Sequence, residues 1–209
     1  MNSSALLSEV LNVYRGFSTY VDSGLLSREL LDQGEKIGTG KIFFKTLYKA
    51  PNRFYCHFDS SMPQPFDYIV DKVSLGYDGE TGFLYEREHG YPASFKTDNF
   101  RTILSITTGI SGGLTSKIAA LLMPNTGGTE ITSIQNIKLG EAISENGQEC
   151  FFIDGTYPGG GKIELLIEKV SKLIVAAKEF NISSTITIQR QEIRVNEDIP
   201  DDLFSIPRY

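Results

Sequence analysis

The segment Gly109-Ile110-Ser111-Gly112-Gly113 has the G-x-S-x-G form in which a serine hydroxyl can serve as a nucleophile. Such an elbow needs a strand before the serine, a helix after it, and a histidine and an acid within reach. Here a helical pattern precedes the serine, and His57 and His89 are the only histidines, so a glycine hinge between two helices accounts better for the motif. Gly159-Gly160-Gly161-Lys162 suggests a phosphate cradle. However, Thr156 stands where a P-loop requires its first glycine, and Ile163 replaces the hydroxyl residue that would hold magnesium. Gly38-Thr39-Gly40-Lys41 fails the same test through Glu35. The carboxylates of Glu197, Asp198, Asp201 and Asp202 lack the alternate-residue spacing of a calcium loop, and Pro200 interrupts them, so they read as a solvated turn leading into Phe204. With two distant histidines and two distant cysteines the chain marks out no metal site, and no cofactor is expected. Arg53, Tyr55 and His57, alternating on one strand face, form the polar cluster with the strongest claim to catalysis.

The elements that must position these residues are mostly strands. Ser4 to Arg15 places Leu7, Val10, Leu11 and Tyr14 on one stripe of a helix opened by a serine cap. From Phe17 the pattern alternates: Ile42, Phe44, Thr46 and Tyr48 face one way, and Phe43, Lys45, Leu47 and Lys49 the other. Ala50-Pro51-Asn52 is a turn, after which Phe54, Cys56 and Phe58 share a face. Pro63 and Pro65 break the next connection, Ile69 to Tyr77 resumes as strand, and Asp78-Gly79 is a tight-turn pair. Two helical patterns follow, Asp98 to Thr108 and Leu114 to Met123, separated by glycines and stopped by Pro124. Alternation then returns, with Ile163, Leu165 and Ile167 on one face. The expected organisation is a single domain, 1–209, with an N-terminal helix at 4–15, a first strand block at 17–87, a helical insert at 97–124, a second strand block at 131–195 and a closing tail at 196–209.

Composition limits the function classes. The 209 residues are enough to bury a large core, and the formal charge of −6 argues against nucleic acid, whose phosphates call for a Lys/Arg surface. The longest apolar stretch, Ile103 to Leu122, is interrupted by Thr, Ser, Gly and Lys117, so no transmembrane segment is expected. Met1-Asn2-Ser3-Ser4 lacks the basic and apolar regions of a secretory signal, consistent with either a cytosolic protein or one whose signal has been removed. Cys56 and Cys150 both lie in strand patterns, where they either pair or are buried separately as small hydrophobes.

Lys49-Ala50-Pro51-Asn52-Arg53-Phe54-Tyr55, then Leu75-Gly76-Tyr77-Asp78-Gly79 leading to Phe83-Leu84-Tyr85, and finally Asn196 to Phe204 occur in an order that resembles the LolA/LolB-like superfamily of outer-membrane lipoprotein carriers, closest to its uncharacterised periplasmic members. The resemblance extends to Asn146-Gly147-Gln148-Glu149-Cys150 and Ile163 to Lys178. It implies a mainly β (α+β) fold: one open, incomplete antiparallel β-barrel of about 10–11 strands, with the N-terminal helix and the helical insert covering an apolar concave face. It also implies a periplasmic location, with a signal peptide removed, and a non-enzymatic carrier that takes the acyl chain of a lipoprotein or a free lipid. The apolar wall would be Phe44, Tyr48, Phe54, Phe58, Leu165 and Ile167, and the lid Ile103, Leu104, Ile118, Leu121 and Leu122. Carriers of this family latch the lid through an Arg immediately before the proline of the strand turn. Ala50 holds that place here, which leaves Arg53 as the candidate polar latch. Ser205-Ile206-Pro207-Arg208 stands where carriers tend to have a double proline. Two other readings of the same fold are an envelope sensor or interaction module with a protein partner, and a cofactor-free enzyme built on Arg53, Tyr55 and His57.

Overall fold

The computed structural model describes residues 2–61, 72–88, 91–144, 146–158 and 160–204, with backbone alone at 60–61, 85–88, 91–95 and 108–110. Helix α1 (Ser3–Arg15) starts one residue earlier than the serine-cap reading predicts. Its cap is Asn2, whose side-chain oxygen accepts from the Ser4 amide at 2.9 Å. The helix buries Leu6 together with the predicted stripe of Leu7, Val10, Leu11 and Tyr14.

Six strands follow: β1 (Thr19–Asp32), β2 (Glu35–Lys49), β3 (Arg53–Ser61), β4 (Lys72–Tyr77), β5 (Gly82–Glu88) and β6 (Tyr91–Thr97). The predicted Asp-Gly turn forms between β4 and β5, with the Asp78 carboxylate accepting from the Glu80 and Thr81 amides and Gly79 at φ 109°. Helices α2 (Phe100–Ser111) and α3 (Leu114–Leu122) come next. The break between them is set by Gly112 and Gly113, both with positive φ, which side chains other than glycine rarely adopt. Helix α2 therefore runs three residues past the predicted Thr108. A 3-10 turn at Ile131–Ser133 precedes β7 (Gln135–Ile143), so the second strand block begins at Gln135 and not at Ile131. It continues through β8 (Glu149–Thr156), β9 (Lys162–Glu168), β10 (Ile174–Asn181) and β11 (Ser184–Val195). Pro63, Pro65, His89 and the Ser205–Arg208 segment lie outside the described residues.

All eleven strands belong to one antiparallel sheet in the order β6-β5-β4-β3-β2-β1-β11-β10-β9-β8-β7. Two meanders, one from each half of the chain, meet where β1 pairs with β11, from Tyr20 opposite Val195 to Leu30 opposite Ser184. The sheet does not close: β6 and β7 end it, and the chain between them carries α2 and α3 across the concave face. The fold is thus the open, incomplete barrel with a covering insert that the sequence predicts.

A register shift in the β1–β11 pairing falls at Ser23/Gly24. A Cβ on Gly24 would collide with the Gln189 carbonyl and the Phe44 ring. Gly24→Ala should therefore cost about 1–3 kcal/mol, since backbone on one side and a packed ring on the other leave little room to relax. Urea unfolding measures this, and an unshifted midpoint would mean that the seam can widen.

The outer face carries a second, smaller cluster. Ile199 and Phe204 of the tail pack on Val21 and Leu47 beside Tyr55, and Phe204 is fully buried. The tail is therefore a strap over the sheet and not only a solvated turn. Leu47, predicted to face away from the core, is buried by this strap.

Candidate functional site

Alternation along a strand sends every second side chain to one face. On β2 this puts Phe44 and Tyr48 on the concave side, on β3 Phe54 and Phe58, and on β9 Leu165 and Ile167. Opposite them, the helical spacing of the insert turns Ile103 and Leu104 of α2, and Ile118, Leu121 and Leu122 of α3, towards the sheet. All eleven residues are buried in one apolar cluster with the α1 stripe. Phe100 stacks edge-on against Phe54, ring centroids 5.6 Å apart, and lies 5.0 Å from Tyr77. Ile103 sits over Gly82, and Gly112 lets the turn between the helices approach Ile186.

Packing is incomplete beneath α3. Between α3 and β9–β11 lies a cavity of about 40 Å³ whose apolar walls include Leu114, Ile118, Leu121, Ile163, Leu165 and Ile188. Little more than one water molecule has that volume, whereas sites for small organic ligands enclose roughly 300–1,000 Å³. Any larger guest must lift α3 from the sheet. Three of the predicted residues, Leu165, Ile118 and Leu121, line the cavity, and the other eight are covered by neighbouring side chains.

Two ion pairs border it, and neither was among the predicted residues. Lys117 on α3 reaches Glu179 on β10, with Nζ 2.5 Å from Oε2 and 5.9 Å from the centre of the Tyr157 ring. Glu179 is almost wholly buried, and Lys117 is about a quarter exposed. Burial, together with the Glu179 charge, pushes the Tyr157 phenol up, so it stays neutral. Deeper in, Arg190 on β11 donates through Nε to Asp22 Oδ2 at 2.8 Å and through Nη1 to the Ile174 carbonyl at 2.7 Å. Tyr20 donates to the same carboxylate oxygen at 2.8 Å, and the Tyr14 hydroxyl accepts from the Ile174 amide. Partners 62 and 168 residues apart cannot be paired from sequence spacing.

The polar residues selected from the sequence lie elsewhere. Arg53 is on the outer face, where it and Lys49 clamp Asp201 of the tail at 2.5 and 2.6 Å. It fastens the strap. Hydrogen bonds from Lys49 and then Arg53 hold the Asp201 carboxyl below its ordinary range. A depressed carboxyl stabilises above the unfolded-state value and loses that contribution as pH falls through the folded value. Asp201→Asn should therefore leave a strap that loosens at neutral pH and lacks this acid-dependent step, read as tail proteolysis between pH 7 and 3. Equal cleavage of both proteins throughout would show that the apolar contacts alone hold the strap.

On the same outer face His57 shares Ser74 with Tyr55, its Nδ1 2.8 Å from the serine oxygen and the tyrosine hydroxyl at 3.3 Å. Burial lowers the imidazole below its ordinary value, partly countered by Asp59. Ser74 is 2% exposed, so no substrate reaches its oxygen. Ser111 of the G-x-S-x-G segment is buried and donates to the Thr107 carbonyl in the last turn of α2. Lys162 of the glycine loop is engaged by Asp154 and Glu164. Cys56 and Cys150 are both buried and unpaired, and burial pushes the Cys56 thiol far up. Among the described residues no three potential ligands gather to hold a metal, and no helix is long and apolar enough to cross a membrane.

Neither a family model nor a curated protein sequence matches the chain. Solved structures do. LprF from Mycobacterium bovis aligns over 94% of this chain and 94% of its own, with a TM-score of 0.54 at 10% identity. MucB in complex with MucA(peri) aligns over 99% of this chain and 60% of its own, with a TM-score of 0.50 at 11% identity. A LolA superfamily protein from Nitrosomonas europaea aligns over 99% and 98%, with a TM-score of 0.41 at 8% identity. The likenesses to LprF and MucB establish a shared fold.

Proposed function

We propose that this protein binds an acyl chain, of a lipoprotein or of a free lipid, between α3 and β9–β11, and does so in the periplasm without catalysing a reaction. The observation that carries this reading is a lid of two short apolar helices lying over the concave face of an unclosed sheet, with a cavity already started beneath one of them. A packed β-sandwich would meet the same apolar stripe with a second sheet. Here the cover is a segment tied to the sheet at its two free edges, and it can move without breaking a strand ladder.

Magnitudes fit a carrier that releases its load. Burying a sixteen-carbon chain at about 0.8 kcal/mol per CH2 yields on the order of 12 kcal/mol. From this must be subtracted the re-exposure of the α3 side chains and the ordering of the ligand. What remains is modest, as handover requires. The charged groups beside the cavity are paired with one another as Lys117–Glu179 and Arg190–Asp22, and the His57–Ser74 cluster lies on the opposite face of the sheet, which supports binding over chemistry.

A second reading uses the same groove in an envelope sensor or interaction module with a protein partner. It is favoured by the likeness to MucB in its complex with MucA(peri). Gentle purification from native envelopes, native mass spectrometry and extraction separate the two. A discrete added mass matching a phospholipid or an acylated peptide supports the carrier. A bare polypeptide that also takes up no fluorescent fatty acid rejects it and leaves the interaction module.

A further inference from the structure

We infer that Lys117 reads the head of the ligand, and that the ligand is an acyl chain ending in an anion. This rests on the acyl-chain reading and adds the identity of the group at the mouth of the groove. Two cations border the cavity. Arg190 is 4% exposed, its charge is paired with the wholly buried Asp22 and it also donates to the Ile174 carbonyl, so it belongs to the wall. Lys117 is different: it sits at the rim on the movable helix, a quarter exposed, and its bond to the wall is to one carboxylate oxygen.

That oxygen marks the site. Glu179 Oε2 stands 2.5 Å from Nζ, and both residues line the same cavity as Leu121, Leu165 and Ile163, so a fatty acid whose chain ran along those three would bring its head oxygen to Nζ in place of Oε2. Entry of the chain must lift α3 and draw Lys117 away from Glu179. A desolvated ammonium without a partner is costly, and an incoming carboxylate or phosphate restores the pair in kind. Glu179, released at the opened rim, regains water. A neutral head offers Lys117 no such exchange, so the groove prefers an anionic amphiphile to a neutral one of equal chain length. The half-buried Tyr157 ring lies beside Nζ, its centre 5.9 Å away, and adds a cation–π contact to the lysine.

Competition against a bound fluorescent fatty acid at pH 7.5, with laurate and dodecanol as probes, tests this. Wild-type protein should bind laurate at least tenfold more tightly than dodecanol. Lys117→Met should bring that ratio to about one, Lys117→Arg should retain it, and Glu179→Gln should raise it by removing the competing carboxylate. Equal affinities in the wild type, or a Lys117→Met ratio as high as that of the wild type, would overturn the assignment; in the second case the pair serves only to hold α3 down. If wild-type protein binds neither the fluorescent fatty acid nor either probe, the acyl-chain reading itself falls, and this inference with it; reporter binding that neither probe displaces overturns this inference alone.

Discussion

Replacing Arg190 by methionine lowers the unfolding free energy by about 3–5 kcal/mol, the usual cost of removing one partner from a buried ion pair. Asp22 is wholly inaccessible to solvent, and its Oδ1 has no hydrogen-bond partner among the described residues, so there its charge is compensated through Oδ2, by Arg190 and Tyr20. Without the guanidinium, a carboxylate remains in an apolar interior with one hydroxyl as its support. The Ile174 carbonyl loses its donor as well, at the register shift between β10 and β9. The double variant Asp22→Leu/Arg190→Met removes both charges, and it should recover most of the loss because no uncompensated charge remains. Urea unfolding of the two singles and the double closes the cycle. A single Arg190→Met within about 1 kcal/mol of wild type would show that water reaches Asp22, and that the interior beneath α1 is not dry.

Leu121→Glu should reduce uptake of a fluorescent fatty acid at least tenfold while the strand signal in circular dichroism persists. Leu121 lines the cavity, so a glutamate there sets a carboxylate in the path of the hydrocarbon. An acyl chain entering would strip water from that charge and offer it no hydrogen bond, a cost of several kcal/mol against the modest net affinity expected of a carrier. Leu104→Glu acts through α2 and should have the same sign. Ile106 lies on the same helix, but its side chain is 43% exposed, so Ile106→Glu is the control that should bind as wild type does. Undiminished uptake by a folded Leu121→Glu protein would remove α3 from the binding site.

The periodicities carried most of the architecture. A strand facing a core on one side alternates, as Ile42, Phe44, Thr46 and Tyr48 do, and a helix lying on that core repeats at three and four residues, as Leu114, Ile118, Leu121 and Leu122 do. Local chemistry placed the turn at Asp78-Gly79 because a carboxylate accepting from the next amides is a short-range event. What escaped the sequence reading depends on contacts between distant segments. Leu47 reads as outward until Ile199 and Phe204 arrive from the other end of the chain. Asp201 reads as one acid in a solvated run until β2 and β3 bring Lys49 and Arg53 to it. Lys117 reads as a flaw in an apolar helix, and its meaning emerges only when β10 supplies Glu179 beneath it. The residues expected to form wall and lid were legible as apolar and inward-facing, which their burial in one cluster matches, but alternation does not say where packing fails, and so it could not single out Ile163, Ile174 and Ile188 at the cavity.

The seam between β1 and β11 sets a timetable. β1 is made well before β11, and residues that pair across the seam, such as Tyr20 and Val195, leave the ribosome roughly 175 positions apart. At about 5–20 residues per second, one side of β1 waits on the order of ten to thirty seconds for its neighbour. Throughout that interval the amides and carbonyls along that side of Thr19–Asp32 are a template for any extended chain nearby. A shield during synthesis, whether a holding chaperone or delayed folding of the whole chain, is therefore a condition for high yield. Joining the ends by a linker and opening the chain between α2 and α3 would place β11 ahead of β1 in translation, and would shorten the wait to the time needed to make the tail strap, the linker and α1.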